Sequence, residues 1–562
     1  MKKITLSIIG ALCCAVSFSQ IPNWSWAKSM TTYYSHENGD YTAVDNAGNI
    51  YVATEFTQAS MTLFGTTLVN PAAPIPDIYV AKFTSAGTLI WAKAFSGPSY
   101  DYINSIVTDN AGNFYLTGGF QQSITFGATT LNSAPDSGAI FIAKFDGNGN
   151  TIWAKKSTAG DYMEIQNMRV DATGNIYLAG SFSSPTLTFD NATLTYQYYN
   201  SAITNGPRAM IMKLDANGNG LWARCAQSSA ETVFGSRALS IAVDNAGGVA
   251  ITGRFHNLAT NFGAISFTKT NTYTHSSNIF IVKYDSNGNE LWGHHAGTIY
   301  ENNNAGNAIA ADANNNFIIS GYFCNTINLA GVTLNSTTGA QFFVAKFNPS
   351  GVIQWAKSPQ YSTAYSGAWS LDVDPSGNAY AAVMTFSPTM DFGNGVQLTN
   401  QGNNSLFVVR YNANGTPAWA RSALGLNANN RISIDVRSQN EMYISGTYDT
   451  PTLAFGSNTI TNGSTNYDLY LARLYYQPLS TTLFNADNLA FYPNPTNGII
   501  HFDNLETEYK FQLFNNLGQC VKTGALATGN ETLDLSGLQS GIYVVSLTDG
   551  EGNMVSKKVI KE

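Results

Sequence analysis

IFIAKFDGNGNTIWAKK, residues 140–156, decides the fold. It reads as an apolar strand, a turn of Asp, Gly and Asn, and a second strand carrying Trp153. The pattern returns along the chain: Trp26, Trp91, Trp153, Trp222, Trp292, Trp355 and Trp419 stand 62 to 70 residues apart, in the settings WAKS, WAKA, WAKK, WARC, WGHH, WAKS and WARS. A fixed period means one supersecondary unit copied along the chain, each copy unable to bury its own apolar face without a neighbour.

Upstream of each such pair lie two more strands. The first ends in a turn: AVDNAGN (43–49), VTDNAGN (107–113), RVDATGN (169–175), AVDNAGG (242–248), AADANNN (310–316) and DVDPSGN (372–378), with Arg437 replacing the Asp in DVRSQNE (435–441). The second follows at once, as IYVATEF, FYLTGGF, IYLAGSF, VAITGRF, FIISGYF, AYAAVMTF and MYISGTY. Four strands joined by short turns make an antiparallel meander, the shape of a propeller blade. The long second-to-third connection carries a motif of its own, as in LFGTTL (63–68), TFGATTL (125–131), LTFDNATL (187–194) and DFGNGVQL (391–398), and predicts an extra hairpin on the rim. The last unit stops near Tyr475 without a Trp strand, while NWSWAKSM at residues 23–30 is a Trp strand with no unit before it. Joining the two removes both open edges. The expectation is an all-β chain whose residues 20–476 form a seven-bladed β-propeller closed by the N-terminal strand.

The first residues, Lys2 and Lys3, an apolar run from Ile4 to Val16, then Ser17, Phe18 and Ser19, have the layout of a secretory signal peptide over residues 1–19. Cys13 and Cys14 lack the preceding small-residue pattern of a lipidation site and should leave with that peptide. Cys225, Cys324 and Cys520 are too few and too scattered for a disulfide framework. No later apolar run is long enough for a transmembrane segment after signal removal. Charged residues make up 11% of the chain and the net charge is -8 with no basic run, so nucleic acid is not an expected partner.

The pattern VDxxGNxYxxG followed by KFDxxGNxxWAK resembles the secreted bacterial beta-propeller (SBBP-type) repeats, over residues 21 to about 476. After a linker at 477–487, residues 488–562 change composition and show about six short alternating strands broken by Asn-Gly, Gly and Asp turns. FYPNPTNG (491–498), LFNNLGQCVKTG (513–524), LDLSGLQSGIYVVSL (533–547) and VSKKVIKE (555–562), with Lys557, Lys558 and Lys561, resemble the type A C-terminal sorting domain of the type IX secretion system. That resemblance implies a small Ig-like β-sandwich of seven strands and recognition by the type IX secretion machinery. It further implies removal of the tail and a secreted or outer cell-surface location in a Gram-negative bacterium.

The chemistry-bearing candidates are sparse. The turns at Asp146, Asp215 and Asp285 imitate the start of a calcium loop, but the sixth positions are Thr151, Gly220 and Glu290 and the twelfth are Ser157, Ala226 and Ala296, where a bidentate Glu belongs. A hairpin turn explains them better. The recurring tryptophans read as a girdle locking blade to blade rather than as a cofactor stack. His294 and His295 are adjacent, so a strand sends them to opposite faces, and His36, His256 and His275 stand alone. No catalytic residue, cofactor or metal is therefore assigned.

Topology places the tight first and third turns on one face and the long connections on the other. The long-connection face carries tyrosines beside carboxylates: Tyr33, Tyr34, His36 and Glu37; Tyr100 and Asp101; Asp161 and Tyr162; Tyr300 and Glu301; Tyr361 and Tyr365. Such pairs suit sugar or peptide recognition. The expected role is non-catalytic binding of an extracellular carbohydrate or protein, in adhesion or as a scaffold. The rival is an extracellular polymer-degrading hydrolase or lyase with carboxylates on that face.

Overall fold

Each repeat becomes a four-stranded antiparallel sheet. In the first, Thr42–Val44, Ile50–Phe56, Asp77–Phe83 and Leu89–Phe95 lie in chain order, and the order recurs in the sheets begun by Asp101–Thr108, Met163–Val170, Ser236–Val243, Ala305–Ala311 and Ser366–Val373. A seventh sheet among the described residues takes Ala428–Ser438, Glu441–Tyr448 and Asp468–Tyr475 from the end of the repeats and Asn23–Thr31 from the start of the chain. There Trp24 faces Leu474 and Met30 faces Leu469 in antiparallel register. The computed structural model describes residues 22–31, 42–134, 138–158, 160, 163–197, 206–228, 234–269, 271–362, 364–399, 405–424, 428–463, 467–476, 490–503, 505, 508–516, 518–527, 531–548 and 554–562. It divides into two units, Met1–Tyr476 and Gln477–Glu562.

In the first unit the leading strands of consecutive sheets touch in turn, and the last of them, Ala428–Ser438, touches the first, Thr42–Val44. The arrangement is all-β and propeller-like. Middle strands are sandwiched between neighbouring sheets, which is why Ile50–Phe56 is buried along its whole length instead of alternating. Between the first two sheets, Tyr51, Ala53, Ile78 and Val80 pack on Ile103, Phe114, Leu116 and Phe141.

The repeated motifs are the joints of this ring. Asp109 Oδ1 accepts the Ala111 and Asn113 backbone N–H groups at 3.0 and 2.9 Å. Its Oδ2 accepts the Asn113 amide at 2.9 Å and the Tyr115 hydroxyl at 3.1 Å, with Lys144 at 3.4 Å. The motif VTDNAGNFY thus consumes its own carboxylate. Each Trp strand reaches forward: Trp91 Nε1 donates to Gly147 O at 3.3 Å and Lys93 Nζ to Gly149 O at 2.9 Å, both in the third turn of the next sheet. Trp222, Trp292 and Trp355 do the same to Ser286, Pro349 and Ala413. Where WAK becomes WGHH, His294 Nε2 replaces the lysine and donates to Gly351 O at 2.7 Å. Trp26, on the N-terminal strand, grips Ser85 O of the first sheet at 3.2 Å. Asp435 accepts the Val44 N–H at 3.0 Å, and Arg437, the residue that breaks the Asp pattern, donates to Asn46 O at 2.9 Å.

The long second-to-third connections form hairpins such as Ser60–Leu63 with Thr66–Val69 and Ser123–Phe126 with Thr129–Asn132. Bridges Ser96 to Thr125, Gln227 to Asn261 and Leu424 to Ala454 lay each hairpin over the end of the preceding outer strand, which shortens the exposed edge.

The second unit has a three-stranded sheet (Phe491–Tyr492, Ile499–Phe502, Thr532–Asp534) and a four-stranded one (Cys520–Leu526, Tyr509–Phe514, Gly541–Thr548, Met554–Lys561). They share a core of Ile500, Phe502, Leu513, Leu533, Val545, Leu547 and Val559. The FYPNPTNG stretch holds the last strand: the Asn494 amide donates to Lys558 O and its Oδ1 accepts the Ile560 N–H, both at 2.8 Å.

Candidate functional site

The two faces of the first unit differ in kind. The tight-turn face repeats, and its polar groups are spent on one another. On the opposite face, where second strands end and third strands begin, the repeat dissolves. Toward the end of the second-strand motif, the residue just before Phe56, Phe120, Phe182, Phe255, Phe323, Thr385 and Tyr448 is Glu55, Gly119, Ser181, Arg254, Tyr322, Met384 or Thr447. Opposite these aromatic or threonine residues, the third strand places Asp77, Ala139, Arg208, Asn278, Gln341, Ser405 or Asp468, all buried.

The leading strands add side chains to the same end. Five of them carry a β-bulge at one recurring place, between Ile103 and Ser105, Ile165 and Asn167, Ala238 and Ser240, Gly306 and Ala308, and Ala368 and Ser370. A bulge re-aims the residue it leaves unpaired. In the sixth sheet that residue is Trp369. Its ring lies 6.0 Å from Tyr322, and Tyr322 lies 6.2 Å from Tyr365, which contacts Phe386 at 5.9 Å. Gly367 keeps this corner open, since a Cβ there would come within 2.9 Å of the Tyr365 hydroxyl and 3.3 Å of Trp369 Nε1. Burial raises the Tyr322 hydroxyl, opposed by the adjoining Arg254 guanidinium, which donates to it. Arg254 stands opposite Arg237 in the fourth sheet. Beside them His256 is pushed down to about 3 by burial and by Arg254, with Lys269 and Arg237 adding to the effect, so it is neutral at physiological pH.

A second polar group sits between the first and second sheets. Asp77 and Asp101 are fully buried, and none of their four oxygens has a hydrogen-bond partner among the described residues. Burial lifts Asp77 to about 7; burial and then Asp77 lift Asp101 to about 9, with the nearby Gly97 amide pulling the other way. Among the described residues no three His, Cys, Asp or Glu side chains converge as a metal site.

The sequence candidates scatter over this face. Tyr33, Tyr34, His36, Glu37, Asp161 and Tyr162 lie outside the described residues. Tyr361 belongs to the short strand Tyr361–Ser362. Tyr365 joins the aromatic corner. Tyr300 is 57% exposed and Glu301 pairs with His275 at 3.5 Å, on the connection leading to the fifth sheet. Tyr100 is half-buried against Tyr102 at 5.9 Å. Asp101 is corrected: it is no loop carboxylate but the first residue of a leading strand, sealed from solvent. Sequence reasoning passed over Arg254, Tyr322 and Trp369. The signal that finds them is positional variability inside an otherwise constant repeat.

The chain resembles known proteins in sequence and, more distantly, in structure. An uncharacterized WD repeat-containing protein of Acanthamoeba polyphaga mimivirus is 29% identical over an alignment of 423 positions and covers 63% of this chain. The match spans only 30% of that relative's length. Among solved structures, the mitotic checkpoint complex aligns at 10% identity over 85% of this chain and 99% of its own, and puromycin hydrolase at 8% over 93% and 62%, each with a TM-score of 0.38. Neither alignment bears on activity. Residues 490–562 match the secretion system C-terminal sorting domain family. That tail makes this a secreted or outer cell-surface protein of a Bacteroidetes-type Gram-negative bacterium, engaged by the type IX secretion machinery.

Proposed function

We propose that residues 20–476 form a closed seven-bladed β-propeller of the SBBP type, followed by a linker and an Ig-like sorting sandwich at 488–562, and that the propeller is a non-catalytic binding module. Export follows from a signal peptide over residues 1–19 and from the tail, which is then removed. The ligand is an extracellular carbohydrate or protein, met on the long-connection face. One observation carries this reading: partly buried Tyr322, Tyr365 and Trp369 gather on the face where the repeat breaks, while the tight-turn face satisfies its own polar groups. Rings with one open face and a polar edge are the usual material of recognition surfaces.

The hydrolase reading needs two carboxyls with separated proton affinities at an accessible place. Asp77 and Asp101 have raised affinities but are fully buried, so a polymer chain does not reach them.

The test is a screen of the full chain on a glycan array and against extracellular proteins, with release of reducing ends followed in parallel. Binding without turnover that is lost in the Tyr322→Ala/Trp369→Ala double variant supports the proposal. Turnover abolished by a single carboxylate change overturns it.

A further inference from the structure

We propose that the corner formed by Arg254, Tyr322, Tyr365 and Trp369 binds a carboxylate-bearing sugar ring of an acidic extracellular polysaccharide. This rests on the long-connection face being the binding face and specifies what that face takes.

The first ground is a pair of orphaned donors. Arg254 and Trp369 are partly exposed, unlike Asp77 and Asp101, but Arg254 Nε and Trp369 Nε1 are turned inward with no acceptor among the described residues. Buried N–H groups are nearly always paired, and a pair of unpaired ones around a single tyrosine marks a place that an acceptor-rich group completes. Tyr322 joins them, with its hydroxyl toward Arg254 and its ring against Trp369.

The second ground is shape. Tyr322, Tyr365 and Trp369 are partly buried and keep some surface in solvent, and Phe386, at the margin, is 44% exposed. Flat apolar ring surfaces above a floor of donors match a pyranose, which offers C–H faces and oxygen edges. A peptide would more naturally add a strand to a sheet edge, but Phe317–Leu329 and Ser366–Val373 do not supply one here. The former is paired on both sides, and the latter is packed in the ring of leading strands.

The third ground is charge. The net charge of -8 opposes a polyanion at long range, so the attraction must be local. On the tight-turn face Lys82, Lys144, Lys283 and Lys346 each have an aspartate. Arg254 has no carboxylate within ion-pair range among the described residues, and the neutral His256 adds no second positive charge beside it. A guanidinium fork left without an anion fits a carboxylate with two parallel hydrogen bonds.

Calorimetric titration of the full chain with hexagalacturonate, its methyl ester and a neutral glucose hexasaccharide tests the assignment. The acid is expected to bind, with affinity falling as salt rises, and esterification to weaken it by about tenfold or more. Arg254→Gln should weaken the acid by about tenfold and leave the ester unchanged. Trp369→Phe, which keeps a ring and removes the N–H, should cost several-fold while the thermal melt is preserved. Equal binding of acid and ester, or an unaffected Arg254→Gln variant with an unchanged melt, overturns the carboxylate assignment and leaves the binding face standing. Binding of none of the three sugars, with a protein ligand lost in the Tyr322→Ala/Trp369→Ala variant, overturns the sugar. A ligand from the broader screen that is indifferent to this face overturns the parent reading itself.

Discussion

The two ends of the repeat sheets handle the same residue type in opposite ways. On the tight-turn face, Asp285 is held below the ordinary carboxylate range by the Asn289 N–H, and Asp146 and Asp215, after a small opposing effect of burial, by their Asn neighbours. On the long-connection face, Asp77 and Asp101 are raised, because burial takes away water and nothing of opposite charge replaces it. The first arrangement is copied from sheet to sheet and is structural. The second is not copied with the repeat; a further raised aspartate, Asp435 at about 8 through burial and the neighbouring Asp372, lies on the last leading strand. In a repeat protein, therefore, constancy marks the joints, and the positions that vary within a constant frame mark where each copy was free to acquire something else.

The comparison breaks most visibly at the seam. Deleting Asn23–Thr31 leaves Asp468–Tyr475 as an unpaired edge and removes the Trp26 grip on Ser85. The expected loss is on the order of 5 kcal/mol or more, the whole stability of an ordinary domain, with aggregation through the bare edge. Size-exclusion chromatography and a circular-dichroism melt read it out. An unchanged monomer with an unchanged melt would mean that the seam does not hold the ring. A finer cut separates clasp from turn. Gly351 has φ +82, and a Cβ there would lie 2.7 Å from the Trp292 ring, whereas Gly112 has φ +79 with nothing within 4 Å. Gly351→Ala should cost about 2–3 kcal/mol and Gly112→Ala about 1 kcal/mol in denaturant unfolding. Equal costs would reduce the tryptophan to a bystander.

How far the sequence could be read follows from the same contrast. WAK and VDNAGN were legible as joints because one period repeats them, and a side chain that recurs in register must meet the same neighbour each time. The turn reading of Asp146 over a calcium loop agrees with the Asn148 and Asn150 N–H groups that occupy Oδ1. Asp101 was misread as a loop residue, because the leading strand runs back from the turn at Asp109 as far as Asp101, beyond the VTDNAGN motif that marks it. Strand ends are not written in periodicity. Trp369 stayed hidden for a related reason. It is one of the nine tryptophans but outside the period, and only the bulge between Ala368 and Ser370 turns it toward Tyr322.

The smallest effect tests the opposition of the two faces through its sign. Asp101 has a folded-state value of about 9 against roughly 4 in an unfolded chain, so between those limits the unfolded form releases a proton that the folded form keeps. Its contribution is fully present below pH about 4 and is lost as the pH rises toward 9. Asp101→Asn removes that liability. The variant should melt on the order of 2 °C above the parent at pH 8, and the advantage should vanish at pH 4. Asp146 runs the other way: its folded value is lowered, so its contribution is present above the unfolded value and fades as acid protonates the turn. Asp146→Asn should therefore melt slightly below the parent at pH 8 and match it in strong acid. Melts of the two variants across pH 3 to 9 that tilt in the same direction would show that both faces treat their aspartates alike, and the distinction between joint and site would lose its electrostatic half.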